Sequence, residues 1–560
     1  MSRKKHRPLV LSQWQKRAVV VLFGLLCTIF VFWPIVTNMV TKTTSSIDGP
    51  LIAWLVNHAA EWYRGKAVLF SPPFFYPYKN TLTFSDPFLS SGLVAVLVGA
   101  ALPSISMIAQ INLQLVGGTL LYFVAIYWLI RELGGRGAAA LLIATIATFL
   151  PLRFVYVVHL HTYLTFAIPL GVLFLHRYFR QQKLLYLIGF SMAYLFQLFN
   201  APMTAYFFVA TILIYVFSQK TIWPTLLVDK RSWAAAILLG VISVAFYLPY
   251  WQQAAQFHSE RTIRDAAHFS YAVNRLWGWD IVAFVGIFVL FFLTSRKSRR
   301  TVATLLPWVL VTLVGLVAML GPVLKFDLET VKVFGLPVPL PYAIAYYVIP
   351  GIKAFRSVTR WSILAALGFP LVVLLLYQTS RIKREVKTTI LLILAVSTVI
   401  IARQSLPVFT IDTHVPEIYQ LAAEQPEKVM AILPATVWSM APYDGRESVR
   451  LLYQPASQKV YYNGASGFLP PTRAEEIHQL FRSFPDDDTL KMLKTNGVEL
   501  LLVEYGQYQQ IFSAGFIFGD IQAPDPDIIK SKLEQRTDVR LIGCRQSRCI
   551  YSLTRNLDAP

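Results

Sequence analysis

AVVVLFGLLCTIFVFWPIVTNMV, residues 18–40, runs straight into TKTTSSIDGPLIAW, residues 41–54. The first stretch is 23 apolar or weakly polar residues without a charge, and about 20 suffice to cross a bilayer as a helix. The basic MSRKKHRP and QKR before it resemble the start of a signal peptide. The run is nevertheless longer than the ~7–15 apolar residues of a cleaved signal, and no small-residue cleavage site follows. It is therefore expected to remain as a first transmembrane helix. That helix carries the chain away from its basic N-terminus into a long loop that opens with a single acid, Asp48.

The rest of the composition agrees. Of 560 residues, 55% are apolar and only 14% charged, where a soluble domain has about a quarter charged. Spanning-length apolar runs recur from Arg17 to Arg403 and then stop. This asymmetry predicts a membrane domain over residues 1–403 and a soluble domain over 404–560. The net charge of +21 does not point to nucleic acid. Twenty-two of the 51 Lys and Arg lie in six short segments, 3–17, 131–136, 177–183, 220–231, 296–300 and 381–387. These segments hold +19 of the excess, as the positive-inside rule requires of cytoplasmic loops.

Placing those segments on one side gives about eleven crossings. They fall at 18–40, 107–130, 137–152, 163–179, 184–199, 202–218, 233–250, 279–294, 301–321, 358–379 and 388–402. The N-terminus is then cytoplasmic, in the inner membrane, and the C-terminal domain extracytoplasmic. Loop 41–105 is external and holds two expected interfacial helices. One, 49–64, carries Leu51, Trp54, Leu55, His58 and Trp62 on a single face; the other is 87–103. The long segments 251–277, with Glu260, Arg261, Arg264, Asp265 and His268, and 322–357 lie on the same side. Residues 404–560 alternate helix-like and strand-like runs and predict an α/β sheet, with Asp488 as an N-cap and Gly497 ending a helix. Cys544 and Cys549 bracket RQSR between two β-like runs, so they are candidates for a disulfide in an oxidising compartment or for two free thiols. Cys27 lies in the first apolar run and is expected to be inert.

The chemistry-bearing residues gather on the external side. Asp48 and Asp86 each stand just ahead of a proline, as N-caps do. At a bilayer surface such carboxylates can also take a proton from an acceptor hydroxyl, or hold a divalent metal (Mg or Mn) beside a phosphate. His159 and His161, with Arg153 ahead of them in RFVYVVHLHTY, are candidate metal or phosphate contacts. Lys353, Arg356 and Arg360 in GIKAFRSVTRW stand where the charge rule disfavours cations. Arg356 and Arg360 are four apart, which would put them on one helix face, and a lipid phosphate is their natural partner. No P-loop, G-x-S-x-G, H-E-x-x-H or dinucleotide fingerprint is present.

Taken together, the pattern resembles the GT-C superfamily of membrane glycosyltransferases. The residues that carry the resemblance are the acid-bearing first loop, FFYPYKNTLTFSDPF, RFVYVVHLHTY and FRSVTRW. In the C-terminal domain they are VYYNGASGFLPP and LKTNGVELLLVEY. The resemblance implies an inverting transfer of a sugar from a polyprenyl-phosphate donor to a glycan, lipid or protein acceptor of the envelope, on the outer face. It puts Asp48 beside the donor phosphate or acceptor hydroxyl, with Asp86, His159 and Arg356 as lesser candidates. Its adjacent Asp-Glu pair in the first loop is absent here. The alternatives are a transporter or flippase for lipid-linked sugars, or a catalytically inactive GT-C-like envelope protein. Helix interiors almost free of charge disfavour the transporter.

Overall fold

The computed structural model describes residues 12–257, 261–277, 279–295, 299–327, 329–437, 445–518 and 521–553. Residues 3–11 of the first basic segment, Glu260 and residues 296–298 of the RKSRR loop lie outside the described residues. The chain divides into two compact units.

The first unit comprises residues 12–37, Leu113–Ser243 and residues 261–406 and is helical. Its first helix, Gln13–Val36, starts five residues before the apolar run because Ser12 and Gln15 form a capping box. Six helices among the described residues are long and apolar enough to cross a membrane: Gln13–Val36, Met107–Glu132, Gly137–Val158, Lys230–Phe257, Val358–Thr379 and Arg384–Ser405. The other five expected crossings are helices at the expected places, Ala167–Gln181, Leu184–Asn200, Pro202–Ser218, Trp279–Thr294 and Arg299–Met319, but these do not meet both criteria among the described residues. The protein is thus a multi-pass membrane protein, with at least six helices among the described residues long and apolar enough to cross.

Inside lipid the hydrophobic effect cannot pull helices together, so close backbone approach must do so. Arg299–Met319 and Ser362–Thr379 use a glycine each. A Cβ on Gly368 would fall 2.8 Å from the Trp308 carbonyl, and one on Gly315 would collide with the Ala365 amide. Gly368→Leu is expected to destabilise the unit by about 1–3 kcal/mol, read as a lower thermal midpoint in detergent. Gly240→Leu is the control, because a Cβ there meets nothing within 4 Å.

The second unit gathers Asn38–Asn112, residues 244–257 and the described part of residues 407–553. Its sheet has the strands β1 Val429–Leu433, β2 Val460–Tyr461, β3 Leu500–Glu504, β4 Val539–Arg545 and β5 Arg548–Leu553, in the order β4-β5-β3-β1-β2. β1 runs parallel to β2 and β3, while β5 pairs antiparallel with β3 and β4. VMAIL and the LLLV that leads to Glu504 read as continuous apolar runs because both faces are covered, and every residue of β1 and β3 is buried. The helices that cover them include Arg473–Ser483, Asp487–Thr495 and Pro526–Glu534. Asp486, not Asp488, precedes the second of these as N-cap, and Gly497 follows it with φ +75°. Cys544 and Cys549 face each other across the β4–β5 hairpin and are disulfide-bonded.

Loop 41–105, counted with the membrane domain on sequence, packs instead with the C-terminal domain. Lys42–Thr43 pairs antiparallel with Phe409–Thr410. Farther on, residues 73–76 run along the open edge of β2. The Tyr461 amide donates to the Pro73 carbonyl (2.9 Å), and the Tyr76 and Phe75 amides donate to the carbonyls of Tyr461 and Asn463 (3.0 Å each). An otherwise bare sheet edge is thereby covered. Cβ atoms on Gly464 and Gly497 would meet Phe74, Phe75 and Tyr76 at 2.8–3.1 Å. Bare glycines there make room for the FFYPY rings.

The helix Asp48–Tyr63 is not a one-faced interfacial helix. Besides Leu51, Trp54, Leu55 and His58, it buries Ile52, Ala53, Val56, Ala59 and Ala60, and it is Trp62 that is exposed. It packs against Leu89–Ala101, where Gly92 abuts Ala59, and against Arg446–Ser457.

Candidate functional site

In the second unit the acids flank the Asp48 helix. Asp48 is the first helical residue rather than its cap; Ile47 holds the cap position, and the Asp48 amide donates to Ser45 Oγ at 3.0 Å. Two glycines fix this turn. Gly49 lets Thr43 cross against it, and a Cβ on Gly445 would lie 2.9 Å from the Ser46 carbonyl and 3.0 Å from Ile47 Cα. Buried Asn112 ties the approach by donating to the carbonyls of Met39 and Lys42, at 2.8 and 2.6 Å. The half-buried Asp48 carboxylate therefore projects from a tightly held backbone.

Asp86 is no N-cap either, since its helix begins at Leu89 after Phe88 with φ +51°. It is half-buried and within electrostatic reach of Tyr250, whose hydroxyl donates to the Ser85 carbonyl at 3.4 Å.

In the first unit the cations form two groups. Arg356 and Arg360 do not share a helix face. Phe355 and Ser357 (ψ 112° and 87°) break the helical path, Arg360 lies in the 3-10 turn Val358–Trp361, and the α-helical part of the Val358–Thr379 span starts at Ser362. Arg356 lies 4.9 Å from the centre of the Phe269 ring and faces Arg261 and Asp265. The Arg261 amide donates to the Lys353 carbonyl at 3.3 Å, and the Tyr346 hydroxyl donates to the Arg261 carbonyl at 2.5 Å. Lys353 itself is exposed. Burial, and beyond it the Arg356 charge, bring the Arg261 guanidinium down to about 10. Burial works against ionised Asp265. The Thr262 amide and hydroxyl, with Arg261 and Arg356, outweigh it and hold that carboxyl below its usual range.

The second group is Arg360 with His159 and His161. The two imidazole centres are 5.6 Å apart. Burial, then Arg360, then His159 hold His161 well below its ordinary value, so it is neutral at pH 7. Tyr156 closes the group, donating to the Thr359 carbonyl at 2.5 Å and lying 2.9 Å from Ser362 Oγ. Guanidinium groups such as those of Arg356, Arg360 and Arg261 suit an anion, to which they can offer charge-assisted hydrogen bonds.

Arg153 does not join them. It is 2% exposed, lies between the Tyr122 and Tyr163 rings (3.9 and 4.0 Å), and donates to the carbonyls of Thr148 and Tyr163. Its guanidinium holds the turn that presents the histidines. Among the described residues no cluster of three or more His, Cys, Asp or Glu could hold a metal. Arg261 stood out in the external segment 251–277 but was not among the candidate site residues. Its signal was a second pair of cations, Arg261 and Arg264, on the side that the charge rule disfavours.

No family defined from sequence matches this chain, and neither does any curated protein sequence. Solved structures do match. Two structures of the arabinofuranosyltransferase AftD from Mycobacteria are 14% and 15% identical, with TM-scores of 0.58 and 0.61. Each covers 98% of this chain, which spans 40% and 42% of the AftD chains. The oligosaccharyltransferase of Archaeoglobus fulgidus is 12% identical over 89% of this chain and 69% of its own, with a TM-score of 0.48.

Proposed function

We propose that this chain, a multi-pass membrane protein with the GT-C fold, is a glycosyltransferase that moves a sugar from a polyprenyl-phosphate donor to an envelope acceptor. The observation that carries the reading is the fold, matched over 98% of the chain at TM-scores of 0.58 and 0.61. An anion-suited group of cations supports it. In this reading the reaction takes place on the outer face of the inner membrane, and the disulfide in the C-terminal domain supports an oxidising side for that domain.

The acceptor hydroxyl oxygen attacks the anomeric carbon as the bond from that carbon to the donor phosphate oxygen breaks, inverting the centre. Asp48 takes the hydroxyl proton, with Asp86 as the second acid. Arg356, Arg360 and Lys353, with Arg261, neutralise the charge that grows on the departing polyprenyl phosphate, and the histidine pair offers it N–H donors. A divalent metal, if used, would add to that neutralisation.

The test is transfer by purified protein in nanodiscs, given a panel of radiolabelled polyprenyl-phosphate sugars and envelope acceptors. Wild type is expected to transfer label from at least one donor. Arg356→Gln is expected to lower kcat/KM by about 10–100-fold, the worth of a charge-assisted hydrogen bond. Donor binding with neither transfer nor donor hydrolysis across the panel would sink the enzyme reading and favour a protein that binds or moves lipid-linked sugars.

A further inference from the structure

The segment after the Arg299–Met319 helix and before the Val358–Thr379 span folds into two small hairpins and a short helix. Lys325–Phe326 pairs with Glu329–Thr330, Lys332–Val333 pairs with Leu336–Pro337, and Pro341–Val348 is helical. The base of this element is fastened. Lys325 Nζ donates to the His268 carbonyl at 3.1 Å, and the Asp327 amide donates to Asn274 Oδ1 at 2.8 Å. The tip reaches outward.

Phe334 and Gly335 form the tip, with φ +51° and +81°. Such two-residue turns ordinarily take Asn-Gly, because both positions need the left-handed region. A phenylalanine there works against its own conformational preference, and its ring packs on nothing: Phe334 is 101% exposed and Leu336 72%. The neighbouring helix buries Tyr342 and Tyr346 and turns Ile344, Tyr347 and Val348 outward at 71%, 69% and 70% exposure. These three are spaced i, i+3, i+4 and share one face. From residue 333 to 352 the sequence carries no charge, and Lys332 and Lys353 border the stretch. The charges on the element, Lys325, Asp327, Glu329 and Lys332, precede the tip.

We propose that residues 333–349 form a membrane-docking surface, with the Phe334 tip and the Ile344–Tyr347–Val348 face seated in the interfacial layer of the bilayer. The occupant follows from position. The segment joins two apolar helices of a multi-pass protein, so it emerges at the bilayer edge, where an uncharged, tyrosine-bearing stretch bordered by lysines anchors well. In water it would leave an apolar patch of a kind soluble surfaces avoid. This inference does not depend on the glycosyltransferase reading.

The full chain carrying Cys27→Ser tests it, with an environment-sensitive fluorophore placed through Phe334→Cys, Ile344→Cys or, as the water-side control, Glu329→Cys. All three native positions are exposed, so the fold should tolerate the exchanges. In nanodiscs, labels at 334 and 344 are expected to emit to the blue of the 329 label. Shallow spin-labelled lipid should quench them at least roughly twofold more than aqueous iodide does. Iodide quenching equal to that at 329 would overturn the proposal. So would protection from both quenchers, which would mark a protein partner or a second copy of the chain on this face.

Discussion

Replacing Asp48 by asparagine is expected to lower sugar transfer by about 10²–10⁴-fold, the usual contribution of a positioned general base, while donor binding and thermal midpoint stay near wild type. The exchange keeps size and shape and removes the carboxylate charge. The backbone that presents the side chain is fastened elsewhere, by Ser45, Asn112 and the Gly445 contact. Gly445→Ala makes the companion experiment. It leaves the carboxylate in place but pushes a methyl against Ser46 and Ile47, from a residue whose φ of +76° already disfavours a side chain. It should reduce kcat more than it raises KM, because a misplaced base costs turnover first. Full activity in Asp48→Asn would remove this acid from the mechanism and make Asp86→Asn the next measurement.

Arg450→Met should have the largest effect on stability. Arg450 is buried and donates to Glu447 Oε1 (2.7 Å), to the Pro434 carbonyl (2.9 Å) and to Glu504 Oε2 (2.5 and 3.1 Å). Glu447 also accepts from the Thr436 amide, and Glu504 from Arg548 at 2.8 Å. Removing one member of such a buried set leaves uncompensated charge and costs about 3–5 kcal/mol. The loss should appear as early unfolding of the C-terminal domain. Its pH dependence follows from the carboxyls. Burial opposes the charge of Glu504, but Arg450 and Arg548 outweigh it and hold its pKa below the ordinary value. In wild type its contribution is therefore present above the unfolded pKa and lost as acid carries the pH down through the folded one. Burial raises Glu447 despite Arg450. Without the arginine both carboxyls rise, so the defect should be greatest near pH 7 and shrink as the pH falls toward about 4.5. Adding Glu447→Gln and Glu504→Gln should recover part of the loss. A variant as stable as wild type at pH 7 would show that the network contributes no net stability.

Spanning helices and the sheet were legible because their signals are local. Twenty uninterrupted apolar residues, or a run such as VMAIL beside LLLVE, mean much the same in any context. Pairings across hundreds of residues were not. FFYPY and VYYNGASG stood out separately, yet nothing in either names the other; the glycines at 464 and 497 acquire their meaning only from the rings they admit. Asp48 and Asp86 looked like helix caps because each precedes a proline, but close contacts in the fold shift the helix starts to Asp48 itself and to Leu89. Arg356 and Arg360 looked like one face because spacing assumes a continuous helix, which Phe355 and Ser357 interrupt. Arg153 carried the same charge as the others, and only its burial between two tyrosines shows that it braces the turn. The buried set around Arg450 showed on sequence only as an acid and a base three apart, the commonest of surface patterns.

The strip of loop that covers the edge of β2 also has a history in time. Tyr78 and Thr472, whose hydroxyls meet at 2.6 Å, are 394 residues apart. At about 5–20 residues per second, the ribosome needs roughly 20–80 s to make the partner after the loop has emerged. Through that interval the aromatic rings and unpaired amides of residues 73–76 must wait without the surface they are shaped to fit. A chain that ends before Val460 never supplies it. Nonsense mutations and tail truncations are thus lesions of the acid-bearing loop as well, felt in a segment that was synthesised intact.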